Sequence, residues 1–135
     1  MAVGELIFRL NMRCLFSILT VLALTGCSDV VTTRFATLVD ARSQAAFDRG
    51  WLPPLLPDSA RAIVEHNNLD VNTGTGSFDY DIPDRDGYMN RLIQVGAVSR
   101  IGEDRDILIL TTNGSHWEVQ LPRSTGKAEW SIRQL

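Results

Sequence analysis

The sequence predicts an α+β fold: an antiparallel sheet with a C-terminal three-stranded meander, and two or three short helices packed on one face. Apolar and polar residues alternate along residues 117–121 and 130–132, as in strands with one buried face. An Asn-Gly pair at 113–114 follows the apolar run 107–110 and predicts a tight hairpin turn. Apolar residues also recur at helical spacing over 88–95.

The first half of the chain is predicted to alternate strands and helices. Residues 30–35 are rich in β-branched side chains and predict a strand. Residues 40–49 contain three alanines and precede Gly50, which favours a helix that ends at this glycine. Asp58-Ser59 is a typical N-cap, so a second short helix is expected over 60–66.

The middle of the chain is expected to hold one long strand or a strand pair over 69–82. Its Gly-containing segment 72–76 is interpreted as a turn. Along 78–82, aromatic and aliphatic residues alternate with Asp79 and Asp81, which favours a half-buried strand. The helix over 88–95 would then end at Gly96.

The composition limits the class of protein. The chain has 135 residues, a formal net charge of -3 and two cysteines. This length fits one small domain, which we place at residues 34–135. The mildly acidic balance does not indicate a nucleic-acid partner, and two cysteines are too few for a disulfide scaffold. No cofactor is expected.

The first 26 residues predict a cleaved signal peptide. Arg9 and Arg13 precede an apolar run over 15–24, which has the length of a signal-peptide core. A membrane-spanning helix needs about 20 apolar residues, so this run is too short to predict one. Met12 is an alternative start, because the sequence from Met12 onward already contains a complete signal peptide.

The end of this run, Leu24-Thr25-Gly26-Cys27, resembles the lipobox of bacterial lipoproteins. The resemblance implies cleavage before Cys27, a diacylglyceryl group on its thiol and acylation, as with palmitate, of the new amine. Residues 27–33 would form a lipidated tether, and Ser28 after the cysteine favours the outer membrane, facing the periplasm. The alternative is an ordinary secretory signal with an incidental cysteine.

A Pro-rich apolar corner at 51–57 is the most distinctive segment of the mature chain. We name Trp51, Leu52 and Leu55 as candidate partner-binding residues, since a rigid Pro-rich stretch loses little entropy on binding. A structural role, with these residues sealing the core edge, is the favoured interpretation because exposed apolar patches are uncommon on monomers.

The same region resembles a segment of small uncharacterised bacterial proteins, many of them apparent lipoproteins. The similarity covers roughly Ala46 to Tyr80, and it implies no catalytic residue. It is carried by these positions: Gly50-Trp51-Leu52-Pro53, Leu56-Pro57, Ser59-Ala60, Ile63, His66, Asp70 and Asn72.

Candidate chemistry is sparse. His66 and His116 are the two histidines, and either could act with nearby carboxylates in a small periplasmic hydrolase, although no nucleophile elbow or zinc-binding helix motif is present. Four aspartates over 79–86 resemble part of an EF-hand calcium loop, but Ile82 and Ile93 occupy its first and last ligand positions. A solvated acidic strand and turn is the favoured interpretation, and a looser divalent-ion site is the alternative. The sequence therefore favours a lipid-anchored envelope protein that binds or assembles with an envelope protein and is not an enzyme.

Overall fold

The computed structural model describes residues 29–135. Its strands are β1 (Val30–Thr37), β2 (Arg61–Asn68), β3 (Thr73–Asp79), β4 (Val98–Ile101), β5 (Arg105–Thr112), β6 (Ser115–Pro122) and β7 (Lys127–Gln134). Its helices are α1 (Leu38–Ser43) and α2 (Arg85–Gln94), with a 3-10 turn at Ile82–Asp84 before α2. The predicted signal peptide and Cys27 lie outside the described residues.

All seven of these strands form one antiparallel sheet in the order β1-β2-β3-β7-β6-β5-β4. β1 starts at Val30, so the later part of the predicted tether is already sheet. β7, the last strand in the chain, joins the N-terminal strands to the C-terminal ones.

The fold is all-β, and the predicted α+β class is wrong. Within residues 29–135, α-helix is confined to α1 and α2, of six and ten residues, beside a seven-stranded sheet. The helix predicted over 60–66 is instead part of β2, and the helix predicted over 40–49 shrinks to α1. The C-terminal strands β5, β6 and β7 form the predicted meander, which β4 extends.

The helix predicted over 60–66 is wrong because two of the three side chains that β2 buries are polar. The inward positions of β2 are Ile63, Glu65 and Asn67, all buried between β1 and β3. Two of the three are polar, so the alternation of apolar and polar residues that marks a half-buried strand is missing. The remaining apolar residues, Ile63 and Val64 with Ala60, fit one face of a helix equally well.

The turn predicted at 72–76 also moves, because Gly74 and Gly76 lie inside β3. A Cβ on Gly74 would lie 2.7 Å from Oδ1 of Asn67, and one on Gly76 would overlap the Trp130 ring and the Val64 carbonyl oxygen. Glycine inside a strand often marks such a close approach. The reversal itself falls at 69–72, where Asn72 has a φ of 51°.

The core lies on one face of the sheet, which we call the inner face. Phe78 is at its centre, with ring centroids 5.9 Å from Tyr88 and 6.0 Å from Trp130. Tyr88 belongs to α2, and its hydroxyl donates to the Leu55 carbonyl at 2.9 Å, which ties the helix to the Pro-rich corner. Burial raises the pKa of Tyr88, so the phenol stays neutral.

The opposite face of the sheet, the outer face, is open to solvent. On β7, Glu129, Ser131 and Arg133 are exposed, whereas Ala128 and Trp130 are buried. Because successive residues of a strand point to opposite faces, this pattern fixes which side chains can meet a partner.

Candidate functional site

The candidate site lies on the outer face, where the strand register brings distant polar residues together. His66 on β2 is opposite Thr75 on β3, and Thr75 is opposite Ser131 on β7. The row continues to Glu118 on β6. A neighbouring row joins Ser77, Glu129 and Gln120 across the same strands.

These two rows enclose a groove of about 360 Å³. We call it the outer groove, and its polar side chains come from His66, Thr75, Ser77, Gln120, Glu129 and Ser131. Thr75, Ser77 and Ser131 contribute short side chains to its floor, and the longer side chains of His66, Gln120 and Glu129 form its walls.

A second cleft, of about 380 Å³, adjoins the outer groove and shares Thr75 and Ser131 with it. His116, Glu118 and Arg133 are among the residues lining this cleft. The two clefts together place both histidines of the chain along one continuous depression, although the histidines are far apart in sequence.

Each histidine is held by a threonine of the neighbouring strand. Nδ1 of His66 lies 2.8 Å from the Thr32 hydroxyl, and Nδ1 of His116 lies 3.1 Å from the Thr111 hydroxyl. Within residues 29–135 neither imidazole is hydrogen-bonded to a carboxylate, the contact that orients the base of a catalytic triad. The threonine contacts orient the rings and leave Nε2 as the nitrogen available to a ligand.

One wall of the depression is a chain of hydrogen bonds. Arg105 donates to Oε1 of Gln120 at 2.8 Å, and Nε2 of Gln120 donates to Glu118 at 3.0 Å. These bonds orient the Gln120 amide and fix the position of the Glu118 carboxylate. The wall is therefore preorganised for polar contacts, which reduces the side-chain entropy lost on binding.

The Pro-rich corner packs largely into the molecule. Leu52 is 2% exposed and belongs to the core, whereas Trp51 and Leu55 are half-buried against it. The Trp51 ring lies close to Gly74 on β3. Partner binding by Trp51, Leu52 and Leu55 stays a prediction, and Trp51 and Leu55 are the two with accessible surface.

The aspartates over 79–86 do not gather around one point. Asp81 pairs with Arg61 at 2.8 Å, and Asp86 pairs with Arg85 at 3.2 Å. Across the described part of the chain, no group of three or more His, Cys, Asp or Glu residues is arranged to hold a metal ion.

Sequence reasoning missed an ionic cluster in which the buried Asp106 pairs with the largely buried Arg85 and the half-exposed Arg123. Asp106 is 3% exposed and accepts hydrogen bonds from Arg85 and, at 2.8 Å, from Arg123. The hydrogen bond from Arg85 holds the pKa of Asp106 below its ordinary value. Because the cluster joins α2 to the β5 and β6 ends and does not reach the outer groove, we assign it a role in stability.

Residues 29–79 match the family model of the YbbD head domain. The matched segment runs through β1, α1, the Pro-rich corner, β2 and β3, which is less than half of the chain. This match indicates a bacterial, envelope-associated protein family. Comparisons with curated proteins and with solved structures gave no match.

Residues 29–135 include no helix that is long and apolar enough to cross a membrane.

Proposed function

We propose that this chain is a lipid-anchored, non-enzymatic module of the bacterial envelope that binds an envelope protein through the outer face of its sheet. The observation that carries the proposal is the contrast between the two faces. The inner face is covered by α2 and the Pro-rich corner, whereas the outer face carries a concave polar groove that no other described element covers.

The chemistry of the groove suits a polar partner. Its floor offers the hydroxyls of Thr75, Ser77 and Ser131, and its walls offer the Glu129 carboxylate and the Gln120 amide. Such groups bind by hydrogen bonds and bury little apolar area, which is typical of the polar rim contacts of reversible complexes. We therefore expect an interface of modest affinity.

Anchoring through Cys27 supplies the location for this binding. The family match supports an envelope protein, and the lipobox resemblance supports lipidation. The test is metabolic labelling with palmitate of the wild type and Cys27→Ala, combined with membrane fractionation. Label and outer-membrane recovery for the wild type alone would support the anchor, and an unlabelled wild type would contradict it.

The binding face is tested by site-specific photo-crosslinking in the native envelope. A photoreactive amino acid replaces Ser131 in the outer groove, Pro54 at the Pro-rich corner, or Asn90 on α2, all exposed positions. A discrete adduct from position 131 that is absent from position 90 supports the outer groove. An adduct from position 54 alone would move the interface to Trp51 and Leu55, and no adduct at either would contradict the proposal.

The runner-up function is a small periplasmic hydrolase, and one observation favours it. His66 shares the outer groove with Glu129 and with two serines, Ser77 and Ser131. The experiment is hydrolysis of chromogenic ester, phosphoester and glycoside substrates by the wild type, His66→Ala and His116→Ala. Hydrolysis that is lost in His66→Ala and retained in His116→Ala would place catalysis in the outer groove. Hydrolysis no faster than the uncatalysed rate in all three proteins would contradict the hydrolase and favour the binding function.

A further inference from the structure

Four exposed apolar side chains lie at one end of the sheet. β1 begins there, β2 ends there, and the turn at 69–72 joins β2 to β3. Val30 and Val31 are each 47% exposed, Leu69 is 48% exposed and Val71 is 60% exposed. We call these four residues the apolar end.

Hydrogen bonds between main-chain atoms make this end a fixed surface. The Leu69 amide donates to the Asp29 carbonyl at 3.2 Å, and the Gln134 amide donates to the Asn72 carbonyl at 3.0 Å. The β2–β3 turn is therefore tied to the start of β1 on one side and to the end of β7 on the other. The exposed apolar residues do not belong to a loop that is free of the sheet.

The sequence places the expected lipid anchor close to this surface. Cys27 is three residues before Val30, and a fully extended chain advances at most about 3.6 Å per residue. The Cys27 backbone is thus within about 11 Å of Val30, the first residue of the apolar end. Headgroups occupy roughly 5–8 Å on each side of the hydrocarbon core, so an acylated Cys27 holds the apolar end at the membrane surface.

We propose that the apolar end lies against the lipid bilayer, with Leu69 and Val71 in the headgroup layer, an inference that rests on the proposed lipidation of Cys27. Apolar side chains gain by leaving water for the interface, and a covalent anchor removes most of the entropy cost of bringing them there. Asp29 and Asp70 lie at the same end, so the contact depends on apolar side chains and does not select anionic lipid.

The test places a fluorescent label at each end of the acylated full-length protein. Cleavage of the signal peptide removes Cys14, and the lipid occupies the Cys27 thiol. A single introduced cysteine is then the one free thiol that a dye can label. Val71→Cys and Leu69→Cys report on the apolar end, and Ser124→Cys, exposed in the β6–β7 loop at the opposite end, is the matched control. Each variant carries an environment-sensitive dye and is reconstituted in vesicles of phosphatidylethanolamine and phosphatidylglycerol.

We expect the dye at positions 69 and 71 to shift its emission to shorter wavelength and to be quenched by lipids that carry a quencher near the headgroup. The dye at position 124 should keep its aqueous emission. Aqueous emission at 69 and 71 from protein that carries lipid and stays with the vesicles would overturn this inference and leave the anchor intact. Protein that carries no lipid on Cys27 would overturn both.

Discussion

Asp106 is the buried carboxylate on which we expect the pH dependence of stability to depend most. The hydrogen bond from Arg85 lowers its pKa in the folded state. A carboxylate with a depressed folded pKa stabilises the fold at a pH above its ordinary value of about 3.9. That stabilisation is lost as the pH falls through the depressed value, so the protein should become less stable in acid.

Asp106→Asn should lower the free energy of unfolding at neutral pH by about 3 kcal/mol, because it removes the buried counter-charge of Arg85 and leaves that guanidinium only the exposed Asp86. It should also reduce the difference in the free energy of unfolding between pH 7 and pH 3. Urea denaturation of the wild type and the variant at pH 7 and pH 3 measures both effects. Asp104→Asn, at an exposed position two residues away, is the control. Equal acid sensitivity in the wild type and Asp106→Asn would contradict the assignment.

Gly76→Ala should destabilise the protein by about 3 kcal/mol or more, because there is no room for the added methyl group. The new Cβ would overlap the Trp130 ring and the main-chain oxygen of Val64, and the latter cannot rotate away. Gly87→Ala is the matched control, since its Cβ would meet nothing within 4 Å and it lies inside α2. We expect Gly87→Ala to be neutral or stabilising by up to about 1 kcal/mol in thermal unfolding. Similar melting temperatures for the two variants would show that the strand is not tightly packed at Gly76.

At the scale of single elements, β2 carries an irregularity that predicts a stabilising substitution. The β2–β3 register shifts between Arg61 and Val64, and Ala62 in that bulge has a φ of 47°. A left-handed conformation costs a non-glycine residue roughly 1–2 kcal/mol. Ala62→Gly should therefore raise the free energy of unfolding by up to about 1 kcal/mol.

Ala36→Gly is the control for Ala62→Gly, because Ala36 is an exposed residue of β1 at which no positive φ occurs. There the same change should destabilise by about 0.5–1 kcal/mol, the entropy cost of glycine in a strand. Denaturant titration of both variants gives the comparison. Loss of stability in both would mean that the bulge at Ala62 is not strained.

The elements that the sequence predicts correctly are those whose burial follows their composition. β6 and β7 alternate apolar and polar residues because they face a hydrocarbon core on one side and water on the other. Glu65 and Asn67 on β2 are exceptions, since they are polar residues that are buried. Gly74 and Gly76 on β3 are also exceptions, because they allow close packing inside a strand where a turn was expected. These positions depend on tertiary contacts that no local pattern contains.

The candidate site was only partly predictable for the same reason. His66 and His116 were identified from residue type, but they share one depression because β3 and β7 lie between their strands. That order pairs strands distant in sequence, and it places Ser77 and Ser131 between them. Neither serine has a local motif to mark it. The groove is a property of the sheet register, which the sequence alone does not reveal.

At the scale of the whole molecule, β7 is the strand that makes one sheet out of two parts. It pairs with β3 on one side and β6 on the other, so β1, β2 and β3 join the rest of the sheet only once β7 has formed. It also supplies Trp130, which packs on Phe78, and Ala128, which is opposite Phe78 in the register. Pairing between segments this distant in sequence is slow to form, so we expect the pairing of β7 with β3 to be a slow step in folding.

The segment that matches the YbbD head domain, residues 29–79, ends with β3 and lacks β7. Produced alone, it should stay largely unfolded, because β3 would become an open edge and Phe78 would lose Trp130. Circular dichroism during heating, with the chain carrying residues 29–135 as the control, measures this. A cooperative transition in the fragment would contradict the argument. It would mean that β1 to β3 fold independently, with β7 and the meander added onto a finished unit.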